Sequence, residues 1–323
     1  MAAPSTTVTS AGPARPASNF WGRLRGGDEI AYLITFIAAA GILLITTLLV
    51  FELYINSNLS RAKFGFSFLT TSTWDPVADQ FGALPFIYGT AVTSFLALLI
   101  GVPLGVGAAI FLAELAPPKI SDALTFLIEL LAAVPSVIYG LLGIFVLVPI
   151  LRLVEPYLRA MLGWTPLFSG PFYGVSLFSA GVVLSVMIIP FIISISREVI
   201  LAVPGDQREG ALALGATSWE TVWDVVVPYA KKGIIGSIFL ALARSLGETM
   251  AVTMVIGNDP KIKASLFAPG YSIAAVIANE FTEATGKLYT SALIELGLVL
   301  FALTIVINGL ARLMLVGADK YKA

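Results

Sequence analysis

Arg244 and Glu248 are charged residues four positions apart in an apolar stretch, residues 232–258, that is long enough to cross a membrane. If the stretch forms one α-helix, the two side chains share a face about one turn apart. A charge at the middle of a bilayer costs roughly 2.5 to 3.5 kcal/mol on insertion scales, and such residues usually face a bundle interior or a water-filled path. The pair therefore predicts either a site that holds or relays an ion, or a neutralising contact that fixes helix packing.

The composition places the chain in a membrane and excludes several chemistries. Hydrophobic residues make up 58% of the 323 positions and charged residues 12%, and the mean hydropathy is +0.92. One soluble core of this length needs far less apolar surface, which indicates an integral membrane protein. The sequence has no Cys and no His, so we expect no catalytic residues and no metal site. It also lacks the Walker A pattern G-x-x-x-x-G-K-[ST], and we expect no ATP hydrolysis by this chain.

Six apolar stretches have the length of a membrane-spanning helix, which predicts an all-α fold. Residues 1–29, ahead of the first stretch, are rich in Ala, Pro, Ser and Thr and are predicted to be a disordered tail. The first stretch is too long for a signal peptide and is interpreted as a retained anchor. The predicted spans are residues 30–53, 86–112, 123–150, 174–196, 233–256 and 289–316.

Six spans place both termini on one side, and Lys and Arg are more numerous in the segments on that side. This distribution predicts that the N-terminus, the C-terminus and the short tail 317–323 are cytoplasmic, and that residues 54–85 form a periplasmic loop. A seventh apolar patch, residues 264–278, is short and contains Pro269 and Gly270. For these reasons we predict that it is a partly buried outer loop. If it did span the membrane, the C-terminus would move outside.

Small and polar residues form a narrow stripe along the predicted third span, where Pro135 is expected to kink the helix. The stripe is typical of close helix packing in lipid, but its acid, Glu129, is equally compatible with a transport path. Glu295 in the sixth span has the same two interpretations. On the fifth span, Ser237 is predicted to share a polar face with Arg244 and Glu248. The stripe consists of Asp122, Thr125, Glu129, Ser136, Gly140 and Gly143.

The longest inner segment, residues 197–232, predicts two short helices at the membrane surface. Gly215 suits a left-handed helix end, and Thr217 with Glu220 fits a capping box that opens a second helix, which Pro228 is expected to stop. Taken alone, the segment is either an interfacial amphipathic connection or a knob that another protein grips.

This inner segment resembles the EAA loop of binding-protein-dependent ABC importer permeases, with Glu209, Ala211, Gly215 and Pro228 in the characteristic places. Gly210 stands where the family usually has Ala. The resemblance implies a type I importer permease in which the loop docks on an ATPase. The implied coupling residues are Glu209, Gly210, Ala211, Gly215 and Ala216.

Three further stretches, residues 74–90, 129–143 and 243–258, are similar to the permease subunits of phosphate importers. The similarity extends from about Phe64 to the end and implies that residues 86–316 form the permease core, with inorganic phosphate as the substrate. In that family, charged residues at the positions of Arg244 and Glu248 lie in the transport path. The expected path residues are Arg244, Glu248, Ser136, Glu129 and Ser237.

The resemblance also implies partners and a location. These are a second permease (PstA), two copies of an ATPase (PstB) that bind ATP and Mg, and an extracytoplasmic phosphate-binding protein (PstS), in the inner membrane of a bacterium. The chain itself needs no cofactor and, as a transport subunit, is not expected to be an enzyme. Two alternatives remain at this point: a permease for sulfate or molybdate, and an ion-driven secondary transporter or channel that would need no ATPase.

Overall fold

The computed structural model describes residues 28–320, with side chains for residues 31–310 and for Arg312. Of the tail predicted for residues 1–29, residues 1–27 lie outside the described residues, whereas Asp28 and Glu29 already belong to the first helix. The predicted tail 317–323 is likewise divided, because the last helix continues to Lys320 and residues 321–323 lie outside the described part.

The described chain is helical, as predicted, and residues 28–320 contain two isolated β-bridges but no strand. The helices are α1 (Asp28–Asn56), α2 (Asn58–Phe64), α3 (Ser67–Thr70), α4 (Leu84–Ile110), α5 (Pro118–Ala132), α6 (Ser136–Leu142), α7 (Val148–Leu162), α8 (Leu177–Leu201), α9 (Gly205–Ala213), α10 (Ser218–Glu220), α11 (Val227–Leu246), α12 (Met250–Val255), α13 (Ile273–Glu280) and α14 (Lys287–Lys320). Wide π turns extend α4 to Leu115, join α6 to α7, and join α10 to α11.

Six of these helical segments are long and apolar enough to cross a membrane. The six predicted spans are therefore confirmed in number, although two of them differ from the prediction in their course. The segments are Ala31–Asn56, Leu84–Leu115, Ser136–Leu162, Leu177–Leu201, Ser218–Leu246 and Lys287–Leu310.

The chain divides into two compact units between Glu52 and Leu53. In the described part of the first unit, nearly every side chain of α1 is exposed, including Ile, Leu and Phe side chains around the whole helix. A helix that is apolar on all sides needs lipid or protein around it, which agrees with its interpretation as a membrane anchor.

The core of the second unit is the contact between α4 and α8. Glycines make this contact close: a Cβ added at Gly101 would lie 3.0 Å from Ile188, and one added at Gly181 would lie 2.5 Å from Leu96. In lipid, small residues at an interface allow such an approach and the van der Waals contact that holds helices together. Helix α8 is central, because 67% of its most apolar window is buried.

The predicted third span, residues 123–150, is wrong as a single kinked helix. Helix α5 ends at Ala132, Pro135 has an extended backbone with ψ of 140°, and a new helix begins at Ser136. Proline lacks an N–H and disfavours helical geometry in the residue before it, so the chain breaks here rather than bending. The stripe of small and polar residues is consequently divided between two helices.

The predicted fifth span, residues 233–256, also contains a break. One helix runs from Ser218 to Leu246, residues 247–249 are non-helical, and α12 begins at Met250. The expectation that Pro228 stops a helix is wrong as well. Pro228 lies in the first turn of α11, directly after the π turn, where a residue without an N–H is tolerated.

Residues 264–278 are mostly buried, and they do not form a seventh long helix. The backbone N–H of Ile273 donates to Thr90 Oγ1 of α4 at 3.0 Å, and a Cβ added at Gly89 would lie 2.1 Å from the carbonyl oxygen of Tyr271. Leu266 and Phe267 are also buried. The patch therefore packs tightly against α4, as expected for a partly buried loop.

Candidate transport site and coupling loop

The two interrupted membrane helices meet at Gly140. Helix α6 begins just after the break at Pro135, α12 begins just after the break at residues 247–249, and the two helices pack on each other. A Cβ added at Gly140 would lie 2.5 Å from Met254 Sδ and 3.2 Å from Ala251 Cα. The absence of a side chain at Gly140 therefore lets the ends of both breaks come together.

Arg244 lies in the last turn of α11, at the edge of this junction, and is exposed. Its guanidinium carbon is 5.9 Å from the centre of the Phe191 ring, near the limit of a cation–π contact. Among the described residues, Arg244 forms no hydrogen bond or ion pair with another side chain. The guanidinium thus lies at the C-terminal end of a helix, where a positive charge is favourable. Its N–H groups remain available to donate hydrogen bonds to a further acceptor.

Glu248 lies inside the break and is half-buried. Its Oε1 accepts a hydrogen bond from the backbone N–H of Ala251 at 3.3 Å, in the first turn of α12. A carboxylate at this place satisfies a backbone donor that the helix leaves free, and it is favoured by the helix dipole. Glu248 therefore helps to start α12 after the break.

The predicted geometry of Arg244 and Glu248, one turn apart on a single helix, is wrong. The helix ends at Leu246, so the i and i+4 relation does not place the two side chains on one helical face, and no ion pair joins them in the described chain. Gly247 and Glu248 instead turn the backbone, and Glu248 binds a peptide group. The two opposite charges are therefore not neutralised by a direct contact with each other.

Tyr139 is a residue of this site that sequence reasoning missed. It directly precedes Gly140 at the junction, and its hydroxyl donates to the carbonyl oxygen of Leu131 at 2.6 Å. This bond bridges the break between α5 and α6. Nothing in the apolar context of Tyr139 sets it apart, and only the break at Pro135 could have directed attention to the turn that follows it.

The remaining predicted path residues have different surroundings. Ser136 is half-buried at the start of α6, one turn before Gly140, and so belongs to the junction. Glu129 is exposed on α5. Ser237 is buried, donates to the carbonyl oxygen of Ile234 at 2.7 Å and shares a hydrogen bond of 2.8 Å with Ser196 of α8. Its polar face does not continue to Glu248, and its hydroxyl joins α11 to α8.

In residues 197–232, the turn at Gly215 and the capping box have the predicted geometry. Helix α9 ends before Gly215, whose φ of +91° is the left-handed conformation that favours glycine. Thr217 and Glu220 form the capping box, in which the Thr217 N–H donates to Glu220 Oε2 at 2.7 Å. Of the implied coupling residues, Glu209, Gly210 and Gly215 are exposed, and Ala211 and Ala216 are half-buried. Leu214 beside them is 92% exposed, so the segment presents an apolar knob.

A half-buried ion pair joins α9 to the end of the second membrane span. Arg208 Nη2 lies 2.7 Å from Glu114 Oε1, and the same guanidinium donates to the carbonyl oxygens of Val203 at 2.5 Å and Ile200 at 2.8 Å. We call Arg208 and Glu114 the clamp. Sequence reasoning missed it, because the partners are 94 positions apart and each appears alone at the end of a helix.

The comparisons with known proteins agree on one family. Residues 101–315 match the family model described as binding-protein-dependent transport system inner membrane component. The phosphate transport system permease protein PstC of Mesorhizobium japonicum is 48% identical over 297 residues, which cover 90% of this chain and 91% of the relative. The protein of the same name from Pasteurella multocida is 50% identical over 266 residues, covering 81% and 83%. A probable PstC of Methanocaldococcus jannaschii is 36% identical over 292 residues, covering 88% and 92%.

Solved structures of low sequence identity share the fold. A chain of a bacterial alginate ABC transporter, in complex with an alginate-bound periplasmic protein, is 16% identical with a TM-score of 0.60, covering 90% of this chain and 96% of the other. A second structure of an alginate importer gives a TM-score of 0.56 at 16% identity, covering 90% and 98%. Together with the family model and the six apolar helices, these matches establish that the chain is a multi-pass inner membrane protein of the PstC family of ABC importer permeases.

Proposed function

We propose that this chain forms half of the translocation path of an ATP-driven importer of inorganic phosphate. The names of its relatives support the substrate. The observation that carries the proposal is the exposed guanidinium of Arg244, which has no ionic partner in the described chain and lies where two interrupted membrane helices meet. Keeping an unpaired cation in a membrane protein is costly, and an anion in transit gives it a use.

The chemistry of the site suits a protonated oxyanion. The planar guanidinium of Arg244 can donate two parallel hydrogen bonds to two phosphate oxygens. Glu248 uses Oε1 for the start of α12, and its Oε2 remains available to accept a hydrogen bond from a P–OH group. Sulfate near neutral pH is fully ionised and carries no such proton. The two residues thus attract the anion and distinguish phosphate from sulfate.

The long helix beyond the capping box links this site to the coupling loop. It runs without a break from Ser218 to Leu246, and Arg244 is 26 residues from its start, about 39 Å at 1.5 Å per residue. A displacement of the loop at Thr217 therefore moves the guanidinium directly. We propose that an ATPase gripping α9 and Leu214 drives this helix between inward-open and outward-open arrangements, with different contacts in each.

The finer assembly belongs to the same proposal. A second permease, PstA, completes the path, two copies of the ATPase PstB bind ATP and Mg, and the binding protein PstS delivers phosphate. The path residues proposed in this chain are Arg244, Glu248 and Ser136, with Tyr139 beside them. Glu129 is exposed on α5 in the isolated chain, and we assign it to the surface that the second permease completes. The coupling residues remain Glu209, Gly210, Ala211, Gly215 and Ala216.

The test is uptake of labelled phosphate by the full importer complex in proteoliposomes that contain ATP inside. The expected result is uptake that requires this chain and ATP and that excess unlabelled sulfate or molybdate does not inhibit. Replacing Arg244 by Gln, which keeps volume but loses the charge, should abolish it. Uptake without ATP would contradict the importer, and inhibition by sulfate or molybdate at equal concentration would contradict the assignment of phosphate.

A further inference from the structure

Helix α7 is amphipathic, with its apolar face exposed and its charged face turned toward its own chain. At 100° per residue, Leu153, Tyr157 and Met161 lie within an arc of about 80° on one face. These residues are 73%, 74% and 74% exposed, and Trp164, two residues beyond the helix, is 84% exposed. We call these four residues the α7 stripe. The part of the chain that the structure describes leaves the stripe uncovered.

The charged residues of α7 lie on the opposite face and bind the segment that follows the helix. Nη2 of Arg152 donates to the carbonyl oxygen of Tyr173 at 2.9 Å, and Nη2 of Arg159 donates to that of Gly170 at 2.6 Å. Glu155 forms an ion pair with Arg159. Because these contacts fix the rotation of α7 about its own axis, the stripe is held facing away from this segment.

Two contacts place the start of α7 level with the ends of the neighbouring spans that lie away from the coupling loop. The backbone N–H of Ser176, just before α8, donates to the carbonyl oxygen of Val255, at the end of α12, at 2.9 Å. A Cβ added at Gly174 would lie 2.7 Å from Val148 Cγ1. Residues 177–196 of α8 contain no charge and extend about 30 Å, the thickness of the hydrocarbon core. The outer edge of the hydrocarbon therefore lies near Val148.

The α7 stripe extends past this edge into the aqueous phase. Met161 is 13 residues beyond Val148 on a helix that Pro156 does not interrupt, about 20 Å at 1.5 Å per residue. Even an inclination of about 40°, the upper end of the range for membrane helices, leaves a rise of about 15 Å. The headgroup layer is only about 5 to 8 Å thick on each side. Lipid therefore does not cover the far end of the stripe, at Met161 and Trp164.

We propose that the α7 stripe is a permanent interface with the second permease of the importer, an inference that rests on the proposed function. Permanent interfaces are more apolar than transient ones, and Tyr, Trp and Met are enriched at interface cores. The binding protein must leave to collect phosphate, and a stripe that it covered would be exposed to water in every cycle. A partner that stays bound keeps these side chains out of water throughout transport.

The position of the stripe also favours the second permease. One helical segment runs from Ser136 to Leu162, and near its start it contains Gly140 of the path junction. Val146 and Ile150, between the junction and the stripe, are 49% and 48% exposed. A permease that completes the path at the junction is therefore already beside this helix. The same interface can continue along the helix to Met161.

The first experiment identifies what lies against the stripe in the intact importer complex. Because the chain has no Cys, Met161→Cys provides its only thiol for a photoreactive label. We expect an adduct with the second permease. The matched control is Val77→Cys, which is 96% exposed on another loop and should not give that adduct. An adduct of Met161→Cys with the binding protein, with lipid or within this chain would overturn the proposal.

The second experiment places charges on the stripe. Tyr157→Glu combined with Met161→Glu should reduce the second permease that co-purifies with this chain about tenfold, because the carboxylates would be buried without partners. Both residues are exposed in this chain, so its own fold should be retained, and its amount in the membrane checks this. Val77→Glu should leave co-purification unchanged.

The unchanged chain separates the two proposals. If no second permease co-purifies with it, the proposed function fails. If the second permease co-purifies with it and equally well with the double variant, only the interface at the α7 stripe is overturned.

Discussion

Arginine and glutamate occur together in two regions of the chain with opposite outcomes. In the clamp, Arg208 and Glu114 lie 2.7 Å apart, and backbone carbonyl groups take up further guanidinium donors. At the helix junction, Arg244 and Glu248 are close in sequence but form no ion pair in the described chain. The clamp joins α9 to the end of the second membrane span, whereas the separated charges keep a hydrogen-bonding capacity that the proposed function assigns to a substrate. The same two residue types therefore connect two helices in one place and remain apart, with donors and an acceptor unused among the described residues, in the other.

The strongest test of this contrast is Arg244→Ala. We expect phosphate uptake to fall by a factor on the order of 100 or more, because two charge-assisted hydrogen bonds to the anion are lost. Assembly of the complex should be unchanged, since Arg244 has no ionic partner to lose in the described chain. The measurement is the initial rate of labelled phosphate uptake, with the amount of co-purified ATPase as the control. Normal uptake would mean that the exposed guanidinium has no part in transport.

Glu248→Ala removes both the charge and the acceptor that helps to start α12, and uptake should again be lost. Glu248→Gln keeps an amide oxygen for the N–H of Ala251, so α12 should still form, and uptake should fall about tenfold because the charge is missing. Comparing the two variants separates the effect of Glu248 on anion binding from its effect on the start of α12. Equal uptake in both variants and in the unchanged protein would show that Glu248 does not contact the anion.

Arg208→Ala should break the clamp and leave the half-buried Glu114 with no cation. We expect a loss of about 2 kcal/mol of stability, discounted from the 3 to 5 kcal/mol typical of fully buried pairs because both side chains keep some exposure, 22% and 12%. ATP hydrolysis should continue with several-fold less phosphate moved per ATP.

The control is the exchange Arg208→Glu with Glu114→Arg. It restores the ion pair but loses the donors to the carbonyl oxygens of Ile200 and Val203, so coupling should return only in part. A normal ratio of phosphate to ATP in Arg208→Ala would remove the clamp from the coupling mechanism.

The smallest of the expected changes is that of Gly215→Val. The φ of +91° at Gly215 is unfavourable for a β-branched residue, and we expect about a fivefold weaker association with the ATPase, measured by co-purification and by stimulated ATP hydrolysis. Gly205→Ala is the matched control, since an added Cβ there meets nothing within 4 Å and the position is helical. Equal association in Gly215→Val and in the control would exclude a conformational role for Gly215.

Hydropathy predicts the number of spans in this chain because each crossing segment must be apolar along its whole length. Hydropathy does not report hydrogen bonds. For that reason the break at Pro135 was predicted as a kink, and residues 247–249 were predicted as part of a continuous helix. The start of α12 depends on the contact of Glu248 with a backbone N–H, and the clamp depends on residues 94 positions apart. Local signals in the coupling loop, by contrast, act within a few residues, and the left-handed Gly215 and the capping box of Thr217 were predictable.

In the proposed importer, the unbroken helix from Ser218 to Leu246 would also connect the path back to the coupling loop. By thermodynamic linkage, if the arrangement of the loop alters the affinity of Arg244 for an anion, then a bound anion alters the preference of the loop by the same factor. The ATPase would thereby sense through this one helix whether the path contains an anion. An empty path would bias the complex against closure, which limits the hydrolysis of ATP when no cargo is present.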